Sequence, residues 1–364
     1  MELLSGKPEE RRLYLGNEAI VRGALEAGVA LVTTYPGTPA SEIGDRCYAI
    51  SRHTDLKFEY SVNEKVALEV AAGAAASGWR VLCAMKHVGL NVAADALMTL
   101  AYVGVKGGMV IVSADDPSLF SSQNEQDNRF YAKMAGLPML EPADPQEAKD
   151  MTRAGFALSE ELGLPVLLRT TTRVNHTRGP VTLGELPPRP GPGKFVKDPF
   201  SLVMVPAVAR LAHARLLQAQ SKAMALAETS PFNYLSGNGP WGIVVSGVPR
   251  AYVADALNEL GLTEKVTVLN LGFTHPLPEA LIADFLGKME KVLVVEELEP
   301  CLEDALRSMA QARGLNLPIQ GKGPGLFSRL YEYQPGLVRE VMARYFGVEY
   351  APPRPPSPEQ VLGK

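Results

Sequence analysis

Short apolar runs alternate with amphipathic segments along the first half of the chain. The runs have the length of strands and are bounded by turn residues, which is typical of buried parallel strands. They are ALVTTYP, RVLCAMK, GGMVIVSAD and PVLLRTTT. The segments between them have helical spacing: GNEAIVRGALEAGV, SEIGDRCYAISRH, SVNEKVALEVAAGAAASG, AADALMTLAYVG and DPQEAKDMTRAGFALSEELG. This alternation predicts a doubly wound, mostly parallel α/β sheet.

The second half repeats the pattern on a smaller scale. A proline-rich stretch over residues 186–199 is followed by PAVARLAHARLLQAQSKAMALAE, which predicts one long helix with Pro206 at its first position. The strand-like runs WGIVVSG, KVTVLNLG and KVLVVEE then alternate with helical segments and predict a second, smaller α/β domain. The predicted division is 1–185 for the first domain, 186–240 for linker and bridging helix, 241–347 for the second domain and 348–364 for a proline-rich tail.

Composition adds limits on function. The 364 residues are 46% hydrophobic, which is enough for two cores, and the net charge is −4 with lysines and arginines scattered along the chain. This distribution favours neither nucleic acid nor an anionic membrane as a partner. The polar start and the absence of an apolar run near the ~20 residues of a membrane span lead us to expect a cytoplasmic protein. The three cysteines are far apart and form no disulfide or iron–sulfur motif.

The segment EYSVNEKVALEVAAGAAASGWRV opens a helix that is poor in side-chain bulk. Ser61 and Glu64 fit a capping box, in which Ser61 caps the helix and Glu64 reaches back to the Ser61 amide. The alanines and glycines that follow permit close approach of a neighbouring backbone, a sheet or a flat ligand. Glu64 therefore has a structural interpretation and a functional one, in which a carboxyl group stands beside a surface of small residues.

A rigid turn over residues 35–39, YPGTP, follows the first buried strand. Two prolines and a glycine hold the backbone where open α/β sheets bind ligands, at the carboxyl end of a strand. The turn aims Thr38 and nearby amides into this crevice. We therefore predict a site at this position, although Thr38 could also serve only to stabilise its own turn.

Several of these stretches resemble a known family. They are YPGTPASEI, EYSVNEKVALEVAAGAA, MKHVGLNVAADAL, VSADDPSLFSSQNEQDNRFYAKMAGLPMLEP and LLRTTTRVNHTRG. Together they resemble the pyrimidine-binding domain of thiamine-diphosphate-dependent 2-oxoacid:ferredoxin oxidoreductases, and most of all the α subunits of the indolepyruvate-type enzymes. The later part, from GIVVSGVPRAYVADAL to VLVVEELEPCLEDAL, is similar to the transketolase-C-like domain of that family. The resemblance spans residues 13–348.

The resemblance assigns roles to single residues. Glu64 matches the catalytic glutamate of the family, whose carboxyl group hydrogen-bonds the aminopyrimidine ring of thiamine diphosphate. Thr38 matches a threonine beside the substrate, so the resemblance implies a hydrogen bond to the 2-oxoacid carboxylate. Lys133 falls where related pyruvate enzymes carry an arginine for that carboxylate, and a lysine would supply a point charge in place of a fork of donors. A solvated surface lysine is an equally open interpretation.

Other polar residues are weaker candidates. His87 and Asn91 lie four apart directly after a strand, and we predict that both contribute to the wall of the cofactor site. Gln126 belongs to a polar cluster that is either a hydrophilic loop or a pocket wall near substrate, together with Gln123, Asn124 and Arg129. His176 is expected to be structural.

The second half of a thiamine-diphosphate site is missing from the sequence. We find neither the Gly-Asp-Gly segment nor the later asparagine that hold Mg²⁺ and the diphosphate. The resemblance therefore implies that the cofactor is shared with a partner chain, and that Mg²⁺ and [4Fe–4S] clusters lie on a diphosphate-binding/iron–sulfur subunit. A gamma-type subunit, ferredoxin, a 2-oxoacid and coenzyme A complete the expected partners.

The predicted function is the pyrimidine-side subunit of such an oxidoreductase, inactive without partner chains. The resemblance implies oxidative decarboxylation of indolepyruvate or other arylpyruvates to acyl-CoA. One alternative is a non-catalytic scaffold or regulatory subunit with a degenerate pyrimidine-like domain. Another is a nucleotide-binding ligase on a similar α/β plan, which the absence of a phosphate-binding loop motif disfavours.

Overall fold

The structure is a computed structural model that describes residues 2–188, 191 and 193–351. Three residues of the predicted linker, 189, 190 and 192, lie outside the described residues, as does the predicted tail from residue 352 onward. In the described part of the chain, no helix combines the length and the apolar character that a bilayer crossing requires.

Fourteen strands and thirteen α-helices make up the described chain, with a short 3₁₀ helix at Glu2–Leu4. The strands are β1 Arg11–Leu15, β2 Leu31–Thr34, β3 Lys57–Tyr60, β4 Val81–Lys86, β5 Met109–Asp115, β6 Met139–Leu140, β7 Val166–Thr171, β8 Arg178–Thr182, β9 Asn233–Gly237, β10 Trp241–Ser246, β11 Val266–Leu271, β12 Phe273–His275, β13 Lys291–Val295 and β14 Ile319–Gln320. The helices are α1 Gly16–Glu26, α2 Ser41–Ser51, α3 Glu64–Ala76, α4 His87–Val103, α5 Arg129–Ala135, α6 Pro145–Leu162, α7 Thr172–His176, α8 Pro199–Leu202, α9 Pro206–Glu228, α10 Pro249–Glu259, α11 Glu279–Leu286, α12 Cys301–Ala312 and α13 Pro335–Phe346.

The larger sheet has seven strands in the order β12-β6-β7-β5-β4-β2-β3. All pairs are parallel except β12 with β6. Strands β2, β5 and β7 are buried along their whole length, because helices cover a parallel sheet and its strands carry apolar, β-branched residues. The predicted doubly wound, mostly parallel sheet is confirmed.

The smaller sheet has five strands in the order β14-β13-β10-β11-β9, and it confirms the predicted second α/β domain. It begins with β9, within the segment expected to be linker, so the predicted domain boundaries stay a prediction. The side chain of Asn233 explains the placement of β9. Its oxygen accepts hydrogen bonds from the amides of Gly272 and Phe273 at 3.0 and 2.9 Å, and its nitrogen donates to the Ala227 carbonyl. These bonds tie the end of α9 to the turn between β11 and β12.

Strand β12 physically joins the two domains. It follows β11 of the smaller sheet along the chain but pairs antiparallel with β6 of the larger sheet. Phe273 lies opposite Leu140, and His275 lies opposite Met139. The imidazole of His275 also bonds the Leu137 carbonyl through Nδ1 at 2.7 Å. The two domains therefore share one sheet.

A buried ion network makes the second connection between the domains. Arg129 is 4% exposed and donates from Nε to Asp127 at 2.9 Å, and from Nη1 to Glu296 at 2.6 Å. Its Nη2 also donates to the carbonyls of Glu297 and Glu299, both at 2.8 Å. Burial alone would lower the pKa of Arg129, but the carboxylates of Asp127 and Glu296 hold it above its ordinary value. Arg129 is therefore a charged group that the two domains neutralise together.

Replacing Arg129 with methionine should strongly destabilise the chain. The change leaves the carboxylates of Asp127 and Glu296 buried without a counter-charge, and we expect the free energy of unfolding to fall by about 3–5 kcal/mol. Arg329→Met is the matched control, because Arg329 pairs with Glu299 at an exposed position and should cost less than about 1 kcal/mol. Urea denaturation of both variants measures the difference, and equal losses would contradict the role of Arg129.

The stability of the chain should also depend on His275 in mild acid. Burial lowers the pKa of His275 from its ordinary value of 6.5, and the nearby charge of Lys133 acts in the same direction. Below 6.5 the unfolded chain binds a proton that the folded chain does not, so the free energy of unfolding decreases as the pH falls. His275→Asn keeps a donor for the Leu137 carbonyl but does not titrate. Denaturation at a series of pH values down to about 5 should show a shallower dependence for this variant, by up to about 1.4 kcal/mol per pH unit, and an unchanged dependence would refute the assignment.

Candidate functional site

Four parallel strands end at one edge of the larger sheet and place the candidate residues there. The turn over residues 35–39 follows β2, Glu64 follows β3, His87 follows β4 and Asp116 follows β5. The carboxyl edge of an open parallel sheet is where such folds bind ligands. The segment over residues 116–128, which we call the site loop, crosses this edge between β5 and α5.

Helix α3 begins differently from the prediction. Its N-cap is Asn63, whose side-chain oxygen accepts a hydrogen bond from the Val66 amide at 2.9 Å. The hydroxyl of Ser61 donates to Glu59 at 2.7 Å, so the predicted capping box of Ser61 and Glu64 is wrong. Asparagine is among the preferred N-cap residues, and a cap at 63 makes Glu64 the first helical residue, where it no longer has the N3 position of a box.

The carboxyl group of Glu64 has no structural partner. Glu64 is 8% exposed, and no described residue donates a hydrogen bond to it. It lies against Gly89 in the first turn of α4, where a Cβ atom would stand 2.6 Å from both Cγ and Oε1 of Glu64. Any side chain at residue 89 would displace the carboxyl group. The arrangement therefore leaves the Glu64 carboxyl group without a hydrogen-bond donor from the described chain, at the edge of the sheet.

Thr38 lies in the turn that follows β2 and is exposed. Next to it, a Cβ atom on Gly37 would stand 2.9 Å from Cγ and Cδ of Lys86, so the turn packs directly on the stem of that lysine. The ammonium of Lys86 donates to the Ser121 carbonyl at 3.2 Å, and the Ser121 hydroxyl donates to the Thr38 carbonyl at 3.3 Å. The hydroxyl of Thr38 has no partner among the described residues, so it is available to a ligand.

The predicted residues His87, Asn91 and Gln126 lie together. His87 is fully buried, and its Nε2 is 3.2 Å from both the carbonyl and the side-chain oxygen of Asn124. Asn91 and Gln126 pair through their amides at 2.7 and 2.8 Å, and Tyr131 donates to the Asn91 oxygen at 2.6 Å. Two members of the polar cluster, Asn124 and Gln126, therefore connect the site loop to the first turns of α4. Within the described chain, Nδ1 of His87 is buried without a partner.

Asp116 and Asn128 fix the two ends of the site loop. The carboxylate of Asp116 accepts hydrogen bonds from the Ser121 amide, the Ser122 hydroxyl and the Thr172 hydroxyl, at 2.9, 2.7 and 2.7 Å. Burial works to raise the pKa of Asp116, but these hydrogen bonds outweigh it and leave the pKa below its ordinary value. Asn128 donates to the His87 carbonyl at 3.1 Å. The loop is thus anchored to the strands that carry the site.

Three candidates from the sequence lie elsewhere. Arg129 belongs to the ion network between the domains. The Nε2 atom of His176 lies 3.5 Å from the carboxylate of Glu42. Lys133 is exposed in the last turn of α5, near enough to His275 to lower its pKa. No local sequence pattern marks Gly89 or Ser121, because Gly89 contacts Glu64 and Ser121 contacts Thr38, and both partners are distant in sequence.

A groove of about 330 Å³ runs along the small-residue face of α3 where it meets α4. Ala72, Gly73 and Ala76 form one wall, and Ala96 and Thr99 form part of the other. A Cβ atom on Gly73 would meet nothing within 4 Å. The small residues of α3 therefore leave an open groove where the sequence predicts close approach of a backbone, a sheet or a flat ligand.

Comparison with known proteins identifies relatives. Residues 22–190 match the family model described as "Pyruvate flavodoxin/ferredoxin oxidoreductase, thiamine diP-bdg". The chain is 48% identical over 98% of its length to the indolepyruvate oxidoreductase subunit IorA of Methanothermobacter thermautotrophicus, and 47% identical over 98% to that of Thermococcus kodakarensis. It spans only 59% and 58% of the length of these curated relatives.

A solved structure shares the fold. It is a 2-oxoglutarate:ferredoxin oxidoreductase from Magnetococcus marinus with 2-oxoglutarate, coenzyme A and succinyl-CoA bound. The TM-score is 0.75 at 17% identity, over 93% of this chain and 66% of that one. This likeness extends across both domains described above.

The helix start at Asn63 can be tested by stability. Asn63→Ala removes the acceptor for the Val66 amide and should lower the free energy of unfolding by about 1 kcal/mol. Asn63→Ser keeps a capping oxygen and serves as the control. Urea denaturation measures both variants, and an unchanged free energy of unfolding for Asn63→Ala would contradict the cap at Asn63.

Proposed function

We propose, from the match of residues 22–190 to the family model of thiamine-diphosphate-binding domains of pyruvate flavodoxin/ferredoxin oxidoreductases, that the chain is the pyrimidine-side subunit of a 2-oxoacid:ferredoxin oxidoreductase. The observation that carries the proposal is Glu64, a residue 8% exposed whose carboxyl group receives no hydrogen bond from any described residue. An acceptor that the chain itself leaves unengaged at the carboxyl edge of a parallel sheet is available to a ligand.

The surroundings of Glu64 fit a flat, polar ring such as the aminopyrimidine. Gly89 offers a surface without a side chain beside the carboxyl group, and the Thr38 turn and the site loop border the same edge of the sheet. When bound, thiamine diphosphate supplies the reactive carbon and the electron sink for decarboxylation of a 2-oxoacid. Glu64 would form a hydrogen bond with the pyrimidine nitrogen and so orient the ring.

The other predicted residues have proposed roles of binding and orientation. The free hydroxyl of Thr38 would donate to the carboxylate of the substrate. His87 and Asn91 would form the wall of the cofactor site, and Gln126 would line the substrate side through its pairing with Asn91. Lys133 stays a candidate for the substrate carboxylate, although its exposed position near His275 gives it no contact with the other site residues.

We propose that the cofactor is shared with a partner chain. The site is open on the side of Glu64, and apolar side chains on three elements around it are exposed, namely Val62, Val92 and Phe120. Together with the groove along α3, they form a surface of the kind that proteins cover with a partner. A diphosphate-binding/iron–sulfur subunit, which would hold Mg²⁺ and [4Fe–4S] clusters, is the proposed occupant.

Indolepyruvate or another arylpyruvate is the proposed substrate, with products acyl-CoA and reduced ferredoxin. The names of the relatives support this choice, since the subunits that share 48% and 47% identity are indolepyruvate oxidoreductase subunits. A gamma-type subunit and a cytoplasmic location complete the proposal. A steady-state comparison of indolepyruvate, phenylpyruvate and pyruvate tests it, and a higher kcat/KM for pyruvate would overturn it.

A scaffold or regulatory subunit is the competing function. A scaffold could retain Glu64 for a structural role in a capping box. Asn63 caps the helix instead, so this structural reason does not apply. A scaffold would also have no need for the space beside Gly89.

Glu64→Gln should abolish most of the activity of the assembly that contains this chain. Glutamine keeps the size of the side chain but cannot hold the exchangeable proton of a carboxyl group, so we expect thiamine-diphosphate-dependent viologen reduction with indolepyruvate to fall by about 10²-fold or more. Glu69→Gln is the matched control, because Glu69 lies on the same helix with an exposed side chain.

Two outcomes separate the possibilities in this experiment. A large loss for Glu64→Gln with normal assembly and near-normal activity for Glu69→Gln supports the catalytic role. Equal activity of Glu64→Gln and the unaltered chain would eliminate that role and favour the scaffold. Gly89→Ala gives an independent check, since its methyl group would collide with the Glu64 carboxyl group and should lower activity similarly.

A further inference from the structure

The site loop connects most of the candidate residues to one another. Ser121 bonds the Thr38 carbonyl, Asn124 bonds His87, and Gln126 bonds Asn91. The positions of these groups therefore depend on the position of residues 116–128. The loop is 13 residues of largely irregular backbone. Its first-domain anchors include Asp116, which binds Ser121 and Ser122, and Asn128 at its end.

Residues of the second domain form hydrogen bonds with the site loop between its ends. We call residues 328–333 the latch segment. The Glu125 carboxylate accepts hydrogen bonds from the Ser118 amide at 2.6 Å and, across the domains, from the Tyr331 amide at 3.0 Å. The Ser118 hydroxyl accepts from the Glu332 amide at 2.9 Å, and the Glu332 carboxylate pairs with Arg173. Glu125 and Ser118 thus join the site loop to the latch segment, and the Glu125 carboxylate also ties Ser118 to its own loop.

The latch segment is fixed to the core of its own domain. The Tyr333 amide donates to the Glu297 carboxylate at 2.8 Å, and the Tyr333 ring stacks on Phe327 with centroids 4.7 Å apart. The buried ammonium of Lys322 donates to the carbonyls of Glu296 and Ser328 at 2.5 and 3.2 Å. A movement of the second domain would therefore carry the segment with it.

The backbone is unusual at the residues that surround the Glu125 hydrogen bonds. Ser118, Leu119 and Tyr331 have φ values of 72°, 52° and 69°, a region that non-glycine residues rarely adopt. Such conformations persist where the surrounding structure imposes them, and they cluster at functional sites. All three residues lie at or next to the hydrogen bonds of Glu125.

We propose that Glu125 is a positioning residue, through which the second domain holds the site loop in the arrangement that binds the 2-oxoacid. Its chain neighbours Asn124 and Gln126 contact His87 and Asn91, so a shift of Glu125 moves both walls of the site. This inference rests on the proposed function. Its consequence is that substrate affinity depends on the contact between the domains.

Loss of the Glu125 carboxylate should raise KM more than it lowers kcat. If the substrate binds only the latched loop, its apparent dissociation constant rises by the factor by which the latched fraction falls. For Glu125→Ala we expect a KM for indolepyruvate about tenfold higher, because two hydrogen bonds to a charged acceptor are lost, and a kcat within about twofold of normal. Glu125→Gln keeps an oxygen acceptor and should restore most of the affinity.

The experiment compares these variants with Glu299→Ala. The Glu299 carboxylate lines the same cavity of about 360 Å³ as Glu125, but its hydrogen bonds in the described chain are to Arg329. Glu299 contacts the site loop through its backbone amide, which donates to Asp127 at 3.2 Å and is retained in Glu299→Ala. Steady-state kinetics are measured on the assembly at saturating thiamine diphosphate and Mg²⁺. Hydrogen exchange of residues 117–126 is measured on the same samples and on the chain alone, and Ser118→Ala provides a second variant that removes the other cross-domain hydrogen bond.

Faster exchange in the loop and a higher KM for Glu125→Ala, with neither change for Glu299→Ala, support the proposal. Unchanged exchange in both Glu125→Ala and Ser118→Ala overturns it, and so does faster exchange with an unchanged KM. An unaltered assembly that turns over no 2-oxoacid would remove the proposed function and this positioning role together. A normal rate with the KM of Glu125→Ala unchanged would remove the positioning role alone.

Discussion

The charge of Arg129 is the constraint on which the arrangement of the two domains depends. A guanidinium that is 4% exposed must be neutralised where it lies, and the carboxylates that neutralise it come from Asp127 in the first domain and Glu296 in the second. Asp127 is also the penultimate residue of the site loop, so the same charge that joins the domains fixes one end of the candidate site. Strand β12 adds a backbone connection, since it extends the sheet of the first domain with residues of the second. The geometry of the site is therefore a property of both domains.

The site itself combines a rigid sheet edge with one free acceptor. The turn at Thr38, the helix starts at Glu64 and His87, and the site loop all stand at the carboxyl ends of parallel strands, which hold them within one crevice. Most polar groups there are paired with one another, as Asn91 with Gln126 and His87 with Asn124. Glu64 differs because its neighbour is the bare backbone of Gly89. A carboxyl group that is kept free within a paired polar network is suited to a ligand that arrives from outside the chain.

Sequence patterns predicted the regular elements well and the contacts between distant segments poorly. The long helix α9 begins at Pro206 and ends at Glu228 as predicted, because proline at the first position and continuous helical residues are local signals. The helix start near Glu64 was predicted wrongly, because Ser61 and Asn63 are both good caps and the sequence does not distinguish them. The sequence places Arg129 in a polar cluster of either loop or pocket wall, whereas it begins helix α5 and pairs with Glu296, a carboxylate far along the chain that no local pattern predicts. The contact of Gly89 with Glu64 and the hydrogen bond from the Tyr331 amide to Glu125 also join segments that are distant in sequence, so no local pattern predicts them.

The measurement that tests the central claim most directly is an anaerobic assay on the tagged chain, isolated from its native host with the chains that copurify. Viologen reduction is followed with indolepyruvate, coenzyme A and added thiamine diphosphate, and the 364-residue chain alone is assayed in parallel. The predicted result is a thiamine-diphosphate-dependent rate with the copurified chains and none with the single chain. Absence of any rate with every 2-oxoacid tried, although the partner chains and their clusters are intact, would contradict a shared thiamine-diphosphate site built around Glu64.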